Sequence, residues 1–131
     1  MKYLKTALLE KYSESAALKN VCKHMYFIDR PASPQRPFAL VTIVPGDHGY
    51  TSANRVDIIV AQFEIEGRTL EAISDAIEQF HLVFDHATLD YGDVFKHISI
   101  RRTNFDGPKE ESGIWKHTMD YLIQRSKALE T

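Results

Sequence analysis

Residues 55–85, RVDIIVAQFEIEGRTLEAISDAIEQFHLVFD, change their hydrophobic period from two to 3.6 across a two-residue break. Ile59, Ala61, Phe63 and Ile65 occupy alternate positions, while the intervening ones run from Val56, Ile58 and Val60 to Gln62 and Glu64. Successive side chains of a strand point to opposite faces. One face of this strand is therefore predicted to be buried throughout, and the other to be buried near its start and wet near its end. Gly67 and Arg68 break the strand. Thr69 can cap the helix that follows, and Glu71 lies near that helix's positive end. Leu70, Ile73, Ile77, Phe80 and Phe84 then recur at spacings of three and four, which predicts a helix over 69–85 with one apolar stripe. Full burial of such a stripe contributes on the order of 7–15 kcal/mol before entropy. The helix is therefore expected to be a core element lying on a sheet, not a detachable recognition helix.

The rest of the chain supplies that sheet. Residues 3–18 read as a helix with Leu4, Leu8, Tyr12 and Ala16 on one stripe and Leu9 beside it. HMYFID, residues 24–29, is a short strand candidate. RPASPQRP follows, with three prolines in eight residues, and reads as a surface connector. FALVTIV, residues 38–44, is apolar at both parities and suits a central strand. PGDHGYTSAN, residues 45–54, is rich in turn formers and is expected to be an exposed loop. VFKHISIRRTNF and GIWKHTMDYLIQR alternate as a C-terminal β-hairpin over 94–125, with a charged tip at 106–112. The expectation is one α+β domain over 1–131. Its antiparallel or mixed sheet has about four to five strands, with two helices packed mainly on one face.

Composition narrows the function classes. With 131 residues and a net charge of −2, the chain offers no general electrostatic grip on nucleic acid or an anionic membrane. No run of apolar residues is long enough to span a bilayer, and the N-terminus has no signal-peptide pattern. One cysteine, Cys22, excludes an intrachain disulfide framework and fits a reducing compartment.

The candidates for chemistry are sparse. His24, His48, His81, His86, His97 and His117 show no paired ligand spacing, so no metal or cofactor is expected. His97 and His117 could lie close across the hairpin with Asp120 nearby, but the simpler reading is ordinary surface or hairpin histidines. Lys23 and His24 beside Cys22 could lower its pKa. The simpler reading is a small apolar residue at a helix-to-strand junction. No nucleophile elbow and no phosphate-cradling glycine motif is present. Arg101 and Arg102 form the one compact basic spot, at adjacent positions of a strand. The surfaces remain: the proline segment, the 45–54 loop and the hairpin tip, each a natural contact element on a rigid sheet.

The order of segments carries a resemblance. A helix is followed by RPFALVTIV, a glycine-containing loop, RVDIIVAQFEIEG, a helix opening TLEAISDAIEQF, and a final hairpin. Over residues 3–125 this resembles the tail-terminator or tail-completion proteins of long-tailed bacteriophages. Those proteins share a proline–aromatic strand, a long loop, and an R-V-x-I-x-V strand running into an EA-type helix. The resemblance implies a homo-hexameric ring at the head–tail junction of the virion, assembled in the host cytoplasm. Such a ring caps the tail tube, meets the head connector or head-closure protein, and lets DNA pass without sequence-specific binding. It implies no catalytic residues. By motif, Asp47, His48 and Tyr50 in the loop and Arg55 and Asp57 at its base are candidates for contacts between subunits. Arg101, Arg102, Lys109 and Glu110 are candidates on the hairpin.

Other readings stay open. One is another virion role, such as head closure or a minor capsid position. Another is a small enzyme or ligand-binding domain with a helix–sheet pocket lined by Phe80, Phe84, Trp115 and Tyr121, with His81 or His117 as its acid–base group. A third is a generic adaptor domain.

Overall fold

Ser15 divides the N-terminal helix in two. The computed structural model describes residues 2–27, 35–50, 54–89, 96–102 and 107–128. Its first element, α1 (Lys2–Glu14), stops one residue before Ser15, whose hydroxyl accepts a hydrogen bond from Leu18 N at 3.1 Å and so caps α2 (Ala16–Val21). A serine at this position offers the backbone an alternative to continuing the helix, so the single helix expected over 3–18 becomes two. Leu4, Leu8 and Tyr12 are buried as the stripe requires, together with Ala7 and Leu18, while Ala16 and Leu9 face solvent.

The sheet is mixed. Its path runs β1 (His24–Phe27), β2 (Phe38–Tyr50), β3 (Asn54–Gly67), β6 (Ile114–Ala128), β4 (Lys96–Arg102), and a short β5 (Lys109–Glu111) also pairs with β6. Every pairing is antiparallel except β1 with β2, which is parallel from His24 opposite Phe38 to Phe27 opposite Val41. β2 thus starts level with the start of β1. Among the described residues, five strands along this path, a short sixth and three helices make an open α+β fold, one helix and one short strand beyond expectation.

The expected loop at 45–54 is largely strand. β2 continues to Tyr50 and β3 starts at Asn54, with His48 opposite Asp57 and Tyr50 opposite Arg55. A register shift between Pro45 and His48 absorbs the turn-forming residues. A β-bulge admits extra residues without ending a ladder, which is why PGDHG interrupts the pairing locally and does not terminate it. Only the apex, residues 51–53, lies outside the described residues.

The third helix, α3 (Leu70–Phe84), begins where the sequence places it. Thr69 Oγ1 accepts from Ala72 N at 3.1 Å, and Asp85 closes the other end. Ile73, Ala76, Phe80 and Phe84 are buried, Ile77 is half-buried, and Leu70 is exposed. The buried stripe therefore starts one turn later than Leu70. Gly67 makes the close approach possible, since a Cβ there would lie 2.9 Å from Cγ1 of Ile73.

All three helices cover one face of the sheet. There Ala39, Val41, Ile59, Ala61, Phe63, Ile65, Met119, Tyr121 and Ile123 form the core with them. On β3 this is the predicted parity. The opposite parity behaves differently from expectation: Ile58 and Val60 are half-buried, Gln62 is exposed, and Glu66 is buried at the end expected to be wet. The C-terminal hairpin also has a finer structure. β5 turns directly into β6 through Ser112 and Gly113, both left-handed at φ 53° and 81°. Two such residues make the turn whose twist matches the flanking strands.

Candidate interaction surface

The covered face is filled. Phe63 lies with its ring centroid 5.6 Å from Phe80, 5.1 Å from Phe84 and 5.4 Å from Tyr121. His81 Nδ1 is 2.8 Å from the Tyr121 hydroxyl, which ties α3 to β6. Phe80, Phe84 and Tyr121 are fully buried, and His117 is buried beside the same core. The aromatic residues of the helix–sheet pocket reading thus pack against one another in the space a ligand would need. Trp115 lies half-buried at the rim.

Cys22 sits at the α2-to-β1 junction, fully buried, with its thiol 3.5 Å from the His24 carbonyl. Burial pushes its pKa up to about 12. Burial outweighs the hydrogen bond to the His24 backbone, which acts in the lowering direction, and the side chain packs as a small apolar residue. Among the described residues no three His, Cys, Asp or Glu side chains are placed to hold a metal ion, and no helix is long and apolar enough to cross a membrane.

Among the described residues no helix covers the other face of the sheet, and its environment changes along the strands. At one end Phe38, Glu66 and Lys116 lie in one register row. Glu66 is 4% exposed and pairs at 3.4 Å with both Arg36 and Lys116. Arg36 also lies over the Phe38 ring, 5.8 Å from its centroid, and Tyr26 packs edge-on against that ring at 5.9 Å. Arg36, Glu66, Glu111, Ser112, Ile114 and Lys116 bound an open recess of about 260 Å³. Sequence reasoning missed this group, because Glu66 meets Lys116 only through the β3–β6 register and Arg36 only through the chain reversal before β2. Midway along β3, Val44, Val60 and Leu122 form an apolar row across three strands, with Val44 the most open at 49% exposed. Gln62 and Asp120, hydrogen-bonded at 3.2 Å, lie between these two groups.

The candidate contact residues divide among the β2–β3 arm, β4 and β5. Asp47 falls within the β2 register shift, and His48, Tyr50, Arg55 and Asp57 occupy paired strand positions of the β2–β3 arm. Asp57 is also the register partner of Arg125 on β6. Arg101 and Arg102 stand on β4 opposite Leu122 and Tyr121. The side chains of these seven residues lie outside the described set. Lys109 and Glu110 are exposed on β5, and Glu110 Oε1 accepts a hydrogen bond from Gly113 N at 2.6 Å, which holds the β5–β6 turn. The structure thus separates the arm from the β5 turn, at opposite ends of β6.

A chain in the virion of a native gene transfer agent particle is similar in fold. Its TM-score is 0.60 at 12% sequence identity, over 96% of this chain and 95% of that one. No protein-family model and no curated protein matches the sequence.

Proposed function

We propose that the chain is a structural protein of a tailed phage or phage-like particle, acting as a tail-terminator or tail-completion subunit. In this reading copies close into a hexameric ring at the head–tail junction. The ring caps the tail tube, meets the head connector, and encircles DNA without reading its sequence. The observation that carries the reading is the likeness to a gene transfer agent virion chain, which spans nearly the whole of both chains. The order of motifs over residues 3–125 supports it independently. So does an interior packed with aromatic side chains where a catalytic cleft would need open space.

Within this reading the β2–β3 arm is the element that reaches a neighbour. β3 has 14 residues and α3 has 15, which correspond to about 46 Å of strand and about 22 Å of helix. A large part of the sheet therefore extends past α3. That extension carries Asp47, His48, Tyr50, Arg55 and Asp57, which we assign to contacts with the next subunit or the tube. Arg101, Arg102, Lys109 and Glu110 are assigned to the rim that faces a partner.

The test is particle assembly without this chain. Deleting its gene from the parent phage or prophage is expected to give unjoined heads and tails and to abolish infectivity. Particles that are joined, of normal tail length and infectious without it would overturn the proposal.

A further inference from the structure

The helical layer is electrically divided. Residues 2–23, which hold α1 and α2, contain five lysines and two glutamates. α3 contains Glu71, Asp75 and Glu78 and no lysine or arginine. These three carboxylates fall at i, i+4 and i+7, and Leu82 at i+11 continues the same stripe, opposite the buried one. All four are exposed, Leu82 to 71%. Among the described residues none of the three carboxylates forms an ion pair, and neither do Lys19 and Lys23, also exposed. Glu71 gains from the helix dipole in the first turn, but Asp75 and Glu78 lie beyond its reach. Like charges at these spacings oppose their own helix, so the ridge has no stabilising role within the chain.

We infer that the Glu71–Asp75–Glu78–Leu82 ridge of one copy docks on the lysine-bearing α2 end of the helical layer of a second copy, around the exposed Lys19 and Lys23. The occupant is a second copy because the same chain carries both signs on separate elements of one layer. The ridge adds the exposed Leu82 as an apolar contact beside its charges. Two different surfaces meeting head-to-tail make a heterologous contact, which propagates into a ring or a filament. This deepens the ring reading by naming a surface for it.

The test uses the full chain and two charge-reversal variants, Asp75→Lys/Glu78→Lys and Lys19→Glu/Lys23→Glu, followed by sedimentation velocity. The wild type is expected to self-associate at low salt and to dissociate as screening shortens from about 10 Å at 0.1 M to about 3 Å at 1 M. Each variant alone is expected to stay folded by circular dichroism, with its apparent Kd raised on the order of a hundredfold. An equimolar mixture of the two is expected to reassociate, because one then presents two basic surfaces and the other two acidic ones. Variants that assemble as the wild type does would overturn the inference, as would a mixture that stays dissociated. So would a wild type that is monomeric at every concentration. That last result leaves the virion reading standing, since gene deletion tests it separately.

Discussion

Glu66 of β3 and Lys116 of β6 are register partners whose charged groups lie 3.4 Å apart. The two are unequal. Glu66 is almost wholly covered and also holds Arg36, while the Lys116 side chain is 43% exposed. Glu66→Ala leaves the part-buried Arg36 without its carboxylate and is expected to cost about 2 kcal/mol. Lys116→Ala, at a largely solvated pair, is expected to cost under about 1 kcal/mol. Chemical denaturation checks both, and equal small losses would show that the carboxylate does not organise this corner.

Gly67→Ala places a Cβ 2.9 Å from Cγ1 of Ile73, a fully buried β-branched side chain with little room to move. An overpacked contact of this kind is expected to lower stability by about 1–3 kcal/mol. A thermal melt unchanged from the wild type would mean that the strand-to-helix turn is looser than its geometry.

Ile73 and Leu82 stand on opposite sides of α3. Ile73→Asp puts an uncompensated charge beneath the sheet and is expected to abolish cooperative unfolding. Leu82→Asp alters a solvent-facing position and is expected to change stability by less than about 0.5 kcal/mol. Circular dichroism melts distinguish them. Similar melts for the two would refute the helix register.

Two buried acids give the fold a ceiling in pH. Burial pushes the Cys22 thiol from its ordinary 9.0 to about 12. Burial, with Cys22 and Tyr26 close by, pushes the Tyr12 phenol from 10.0 to about 12. The Tyr12 hydroxyl donates to the Cys22 carbonyl at 2.5 Å. An unfolded chain releases these protons first, so the stability present below about pH 9 is expected to fall between pH 9 and 12. Denaturation midpoints at pH 8 and 10.5 check this, and Cys22→Ala should flatten part of the slope. In the native protein at pH 8 the thiol is expected to resist disulfide-exchange reagents until denaturant is added.

The α3 cap should be separable from its packing. Thr69→Ala removes the acceptor for Ala72 N and is expected to cost about 1 kcal/mol, with Thr69→Asn close to neutral. Helix content and melting midpoint report both variants.

Much of the fold was legible where one period repeats long enough to be unambiguous. The alternation of Ile59 to Ile65 and of His117 to Ile123, and the Ile73–Phe80–Phe84 stripe, all point inward as their spacing requires. What escaped depends on contacts distant in sequence. Nothing local marks β1 as parallel, because that direction shows only in its pairing with β2, His24 opposite Phe38 and Phe27 opposite Val41. PGDHG has the composition of a loop, and only its pairing partners, His48 with Asp57 and Gly49 with Val56, make it a strand. Leu70 matches the helix spacing yet faces solvent, since Gly67 brings Ile73 and not Leu70 down onto the sheet. The candidate surface was harder still. Loop composition and family motif point to the β2–β3 arm and the hairpin, whereas the Glu66 cluster arises from strand register.

β3 is laddered to β6 from Asn54 to Gly67 and to β2 along most of the same span. A force along that strand loads these hydrogen bonds in shear, many at once, and they resist together. β1, with four residues, and β4, whose ladder is interrupted between Lys96 and Ser99, would peel bond by bond. The molecule is therefore stiff through its middle and compliant at its margins, so stress along β3 would be relieved first at the outer strands.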